Sequence, residues 1–166
     1  MIKLRNGATA FLHSNGDYFL IKRAAHKALA PGVWSGVGGH LEPHEINDPL
    51  AACYREAEEE TGIARSEITD LELRYIVTRR SGDEIRQNYI YFGETTQRDV
   101  AQTQEGTLHW VPETELLRRE FTKSFTAMLE HFTQREPYDK AVYVGVCGND
   151  DGSLRMHWSR CEDYEL

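Results

Sequence analysis

The stretch that most constrains this chain is residues 38–63, GGHLEPHEINDPLAACYREAEEETGI. It specifies a helix from Pro49 to Thr61, with both ends written into the sequence. Asp48 is placed to N-cap it and Pro49 suits the first helical position. Gly62 stands where a left-handed residue closes a helix, and Ile63 supplies the apolar contact that follows. At 100° per residue, Leu50, Tyr54, Ala57 and Thr61 share one face, predicted to pack on a sheet. Glu56, Glu59 and Glu60 share another, Glu58 points to solvent, and Arg55 lies one turn before Glu59. Each adjacent pair of like charges costs an isolated helix a few tenths of a kcal/mol. An acidic run is commonly no more than a solvated face. This one follows a double glycine and ends in a specified cap, a setting that points to hard divalent cations held by oxygen ligands.

The same residues carry a resemblance. Gly39, Glu45 and Arg55-Glu56-Ala57-Glu58-Glu59-Glu60-Thr61-Gly62-Ile63 follow the pattern G-x5-E-x7-R-E-U-x-E-E-x-G-U, with U a bulky apolar residue. The chain thereby resembles the Nudix hydrolases. The approach Ala30-Pro31-Gly32-Val33-Trp34-Ser35-Gly36-Val37-Gly38-Gly39-His40 and the downstream Glu105-Gly106-Thr107-Leu108-His109-Trp110-Val111-Pro112 resemble MutT-like members. Two departures stand out. Nine residues separate Glu45 from Arg55 where the family has seven, and the extra pair falls near Ile46-Asn47, ahead of the helix cap. The insertion bears on whether Glu45 keeps its usual contact with Arg55. Ala57 is also smaller than the family's residue there.

The resemblance implies an α/β (α+β) fold, a Nudix-type α/β/α sandwich with a mixed β-sheet. It also implies a Mg2+-dependent (or Mn2+-dependent) enzyme that cleaves a diphosphate linkage by water attack on phosphorus. By resemblance Glu56 and Glu60 are the principal metal ligands, Glu59 is a further ligand or base, and the Gly38 carbonyl is another ligand. Arg55 is expected to orient Glu59, Glu45 to be structural, and Glu105 to bind metal or act as general base. Gly39 belongs to the substrate-binding loop. Among the aromatics, Trp34, Tyr75, Tyr89, Tyr91 and Trp110 are candidates to stack on a base, although most strand aromatics are core. Lys22 and Arg23, at a strand end leading into the glycine loop, are candidates for substrate phosphates. His40 and His44 flank the motif without a second histidine at zinc-ligand spacing.

The rest of the chain frames this motif. Ser14-Asn15-Gly16-Asp17 lies between two apolar runs, a hairpin signal. Residues 24–48 hold glycines and prolines and read mostly as loop. Two β-rich runs, 71–78 and 85–93, flank Ser81-Gly82-Asp83, and residues 108–111 read as a short strand. Helical pattern returns at 113–117 and 123–132. Residues 1–136 form the expected Nudix domain. Residues 137–166 form a C-terminal extension with a β-hairpin, 141–147 and 154–159, packed on the same domain.

Composition narrows the classes further. The net charge of −8 argues against broad nucleic-acid binding. No apolar run reaches a membrane span. Cys53, Cys147 and Cys161 show no metal-type spacing and are expected as free thiols in a cytoplasmic protein. The expected partner is a nucleotide small molecule. No proline falls between Gly62 and Trp110, and Tyr75 comes too early for the tyrosine of dinucleoside-polyphosphate relatives. The first feature argues against ADP-ribose and the second against dinucleoside polyphosphates, so together they favour a nucleoside triphosphate, ordinary or oxidised, with ADP-ribose or another nucleotide sugar as the alternative. A non-catalytic nucleotide sensor and a structural protein with an acidic helix are the readings of other classes.

Overall fold

Alternation along two strands decides the layering. In the computed structural model, which describes residues 1–24, 32–100, 106–136 and 139–164, β1 (Lys3–Ser14) and β2 (Asp17–Arg23) are joined at Asn15-Gly16. Ala8, Ala10 and Leu12 of β1 with Phe19 and Ile21 of β2 face one core. Phe11, Tyr18 and Leu20 face the other. Both sheet faces are therefore apolar, and each needs a cover.

The first cover is α1 (Pro49–Thr61), which buries Ala52, Cys53 and Ala57 on the first core. The second is α2 (Lys123–Thr133), which buries Met128 and Leu129 on the other. Between them runs one mixed sheet. Its remaining strands are β3 (Trp34–Ser35), β4 (Val37–His40), β5 (Ile68–Ser81), β6 (Glu84–Thr95), β7 (Gly106–Pro112), β8 (Val142–Asp150) and β9 (Ser153–Cys161). The order is β3-β2-β1-β6-β5-β8-β9, with β4 paired to β1 and β7 to β2. The β1–β6 and β5–β8 pairs are parallel and the others antiparallel. This is the α/β/α sandwich with a mixed sheet that the resemblance implies.

Three expectations change. The segment 24–48 is not loop throughout where it is described: two short strands interrupt it, β3 paired with β2 and β4 with β1. Glycines are poor strand formers, yet here they let β4 lie close against its neighbours. Residues 113–118 form a 3-10 turn, Glu113–Arg118, too short to pack as an α-helix. The face of α1 that meets the sheet is centred on Ala52, Cys53, Ala57 and Thr61, while Leu50 and Tyr54 sit half-buried at its flank. Small side chains occupy the centre because β1 and β4 offer alanines and glycines opposite.

The C-terminal hairpin extends the same sheet, with Tyr143 of β8 in register with Tyr75 of β5. All three cysteines are free. Among the described residues, no helix is long and apolar enough to cross a membrane.

Candidate active site

Both ends of α1 are fixed as its sequence requires. Asp48 accepts a hydrogen bond from the Ala51 amide at 3.2 Å. Gly62 adopts φ 78° and its amide donates to the Glu58 carbonyl at 2.9 Å. A helix held at both ends presents its acidic face in one orientation, and that face looks onto β4.

The contact is close. The Gly38 amide donates to Glu60 Oε2 at 3.0 Å. A Cβ placed on Gly39 would lie 2.3 Å from Glu56 Oε1, so any side chain there would displace that carboxylate. Glu56 is half-buried, and burial pushes its carboxyl above the usual range, more than Arg55 pulls it down. Holding such a carboxylate ionised calls for a nearby positive charge.

Arg55 organises the cluster. Its guanidinium donates to both oxygens of Glu45, at 2.8 and 2.9 Å. It also donates to Glu56 at 2.9 Å, to Glu59 at 3.1 Å and to the His40 carbonyl at 3.2 Å. Glu45 is 3% exposed and also accepts the Glu42 amide, at 2.8 Å. Its carboxyl is pulled down to about 2, chiefly by the Arg55 hydrogen bonds. Glu45 in turn raises Arg55 above the ordinary guanidinium value. The insertion ahead of the helix does not break this pair. A 3-10 turn at Pro43–Glu45 closes with the Asp48 amide on the Glu45 carbonyl at 2.8 Å, so Ile46 and Asn47 are taken up in a tight reversal.

The three carboxylates therefore have different surroundings. Glu56 and Glu60 meet the Gly38–Gly39 backbone, whereas the Glu59 side chain is 60% exposed and turned to Arg55. Among the described residues no three histidine, cysteine, aspartate or glutamate side chains converge on a complete metal cage. Two carboxylates beside a strip of backbone bare of side chains still fit a hard divalent ion. Magnesium keeps several waters and completes its shell with substrate phosphate oxygens. Glu105 lies outside the described residues.

Across Gly38–Gly39, on the α2 side of the sheet, opens a cavity of about 490 Å³. Arg23, Trp34 and Gly39 of the substrate-side candidates line it, together with Gly38 and His40, whereas Lys22 is not in its wall. Trp34 has Lys22 Nζ 5.8 Å from its ring centre and the His109 ring at 5.0 Å. The other aromatic candidates are elsewhere. Tyr75 is fully buried with its hydroxyl on His131 Nδ1 at 2.9 Å, and Tyr91 is buried in the α1-side core. Tyr89 packs against that same core, and Trp110 stacks between Phe19 and Arg98. These strands pack on both faces, so aromatics there are absorbed into cores. His44 stands exposed beside Glu42.

Sequence reading missed much of the cavity wall: Arg5, Arg79, Arg86, Asn88, Lys123 and Phe125. A signal was available. Arg86 and Asn88 share a face of β6 with the buried Ile90 and Phe92, and polar residues continuing an apolar strand face mark where a core gives way to a cleft.

Comparison with known proteins agrees with this geometry. The NUDIX domain family model matches residues 3–132. A MutT protein from Bacillus halodurans is similar in structure at TM-score 0.73 and 18% identity, over 93% of this chain and 97% of that one. A MutT protein from Methanosarcina mazei Go1 gives 0.67 and 21%, over 80% and 95%. An Ap4A hydrolase from C. elegans gives 0.61 and 17%, over 80% and 96%. At these identities the likeness is one of fold.

Proposed function

Because the chain belongs to the NUDIX domain family and is a Nudix hydrolase, we propose that it cleaves the diphosphate linkage of a nucleoside triphosphate, ordinary or oxidised, by attack of water on phosphorus. The observation that carries this reading is the meeting of Glu56 and Glu60 with the Gly38–Gly39 backbone at the edge of the cavity. It supports the reading because a carboxylate pair suited to a cation lies beside a cavity of a size that suits a nucleoside.

Glu56, Glu60 and the Gly38 carbonyl would hold Mg2+ or Mn2+. When bound, such an ion screens phosphate charge and lowers the pKa of water. The protein's own work is positioning. Arg55 fixes Glu56 and Glu59 against each other and is itself anchored by buried Glu45. Trp34 offers a ring face to the base, and Arg23 offers charge to phosphate oxygens. Glu59 and Glu105 are the two glutamates assigned to accept the proton. The Arg55 hydrogen bond occupies Glu59 Oε2 and competes with that task, which favours Glu105.

A nucleotide panel in Mg2+ tests the reading. It should contain ordinary and oxidised nucleoside triphosphates, ADP-ribose, nucleotide sugars and dinucleoside polyphosphates, with products identified. The expected result is nucleoside monophosphate and pyrophosphate from a triphosphate. Preference for ADP-ribose would reassign the substrate. Binding without turnover across the panel would make the protein a sensor.

A further inference from the structure

The cavity's charge is one-sided. Among the described residues its wall carries no aspartate or glutamate but five cationic side chains, Arg5, Arg23, Arg79, Arg86 and Lys123, in a chain of net charge −8. Three of them are ordered by the sheet itself. Arg5 of β1 is in register with Arg86 of β6, and Arg86 is in register with Arg79 of β5. They stand side by side on three adjacent strands, on the face that α2 covers. Like charges directly opposite one another on a sheet are destabilising.

Among the described residues, the one carboxylate found in an ion pair with the row is Glu84, which pairs with Arg5 at 2.8 Å and with Arg86. Arg79 is half-buried, and no hydrogen bond or ion pair to its side chain is found among the described residues. Burial and the neighbouring Arg86 both work against its charged form. Three guanidinium groups against one carboxylate leave about two positive charges unmatched. A phosphate monoester carries about −1.5 to −2 at neutral pH and takes bidentate guanidinium bonds; a carboxylate would balance half as much.

Position separates this row from the diphosphate site. Gly38 and Gly39 are in register with Thr9 and Ala8 of β1, and Arg5 lies four and three residues farther along that strand, about 10–13 Å at ~3.3 Å per residue, with its guanidinium reaching His40 Nε2 at 3.4 Å. Between them Gly7 contributes no side chain, which leaves the floor open beside Asn88. We propose that Arg5, Arg79 and Arg86 form a subsite for a phosphate monoester on the nucleoside part of the substrate, remote from the diphosphate that is cleaved. The inference rests on the cavity being the substrate's seat; it keeps the 5′-polyphosphate of that reading but replaces the ordinary nucleoside by one that also carries a ribose-borne phosphate.

Binding tests it without catalysis. The 2′,5′- and 3′,5′-bisphosphates of adenosine, guanosine, cytidine and uridine are titrated calorimetrically against the matching 5′-monophosphates, at ~0.15 M salt and in chelator. At least one bisphosphate should bind ten-fold or more tighter than its monophosphate, and Arg79→Gln should remove most of that advantage. The melting temperature of Arg79→Gln should not fall, since the substitution relieves repulsion. Equal binding of every pair overturns the subsite, as does an advantage that survives Arg79→Gln or a substantial loss of stability in that variant. Binding preference with no hydrolysis of any nucleotide would leave the subsite standing and reject the hydrolase reading; hydrolysis without the preference would do the reverse.

Discussion

At the scale of single residues, the neighbouring glutamates of α1 do different work despite their identical chemistry. Glu60 faces the Gly38 amide and Glu59 faces solvent and Arg55. Glu60→Gln should keep the fold and lower kcat by about 10²-fold or more, equivalent to ~2.7 kcal/mol of transition-state stabilisation. A variant within three-fold of wild type, with unchanged metal affinity, would remove Glu60 from the site. Glu45 acts through Arg55. Its carboxyl lies at about 2 in the folded protein against 4.5 for an ordinary glutamate. A lowered folded-state value means that the stabilisation is fully present above pH ~4.5 and is lost as pH falls toward ~2. Glu45→Gln should destabilise the protein by on the order of 2 kcal/mol near neutrality, because it leaves a partly buried guanidinium short of its main partner. Melting temperatures measured from pH 6 to pH 2 should show the wild-type advantage shrinking with acid. An advantage that is constant across that range would show that the pair is not ionic.

At the scale of elements, α1 and β4 form the working unit, and α1 was legible to the residue. Asp48, Pro49 and Gly62 state the helix ends in local chemistry, which needs no tertiary context. The glutamate face was legible too, because periodicity alone sets it. What faces it was not. The pairing of β4 with β1 is a long-range contact, and two glycines in a four-residue strand read locally as loop. The buried face of α1 was only half legible, since Ala52 and Cys53 are fully buried without standing out as large apolar side chains, and the β1 and β4 contacts that cover the helix are long-range. Gly39 shows what the close approach demands. Gly39→Ala should cost activity well beyond its effect on stability, because the new methyl meets the flexible end of Glu56 rather than backbone. A variant with wild-type turnover would show that the Glu56 carboxylate can leave its place against β4 without consequence.

At the scale of the whole molecule, charge is divided between two sides of one sheet. The acidic helix covers one face, while the cavity on the other is lined by cations, and the Gly38–Gly39 strip lies between them. Net charge in the sequence reported the acidic excess and concealed the basic cleft, because Arg5, Arg79 and Arg86 are far apart in the chain and meet only through strand register. The C-terminal hairpin was legible as a strand pair, but its place beside β5 was not. There Trp158 packs on Tyr75 and His131 beyond the residues that the family model matches. The division of charge makes sense if cations join the acidic face to the phosphates of a nucleotide seated in the cleft. The most direct measurement is phosphate or pyrophosphate release from the preferred nucleotide before chelation, in excess chelator, and after Mg2+ or Mn2+ is restored. The account predicts turnover that disappears in chelator and returns with either ion; undiminished turnover in chelator would contradict it.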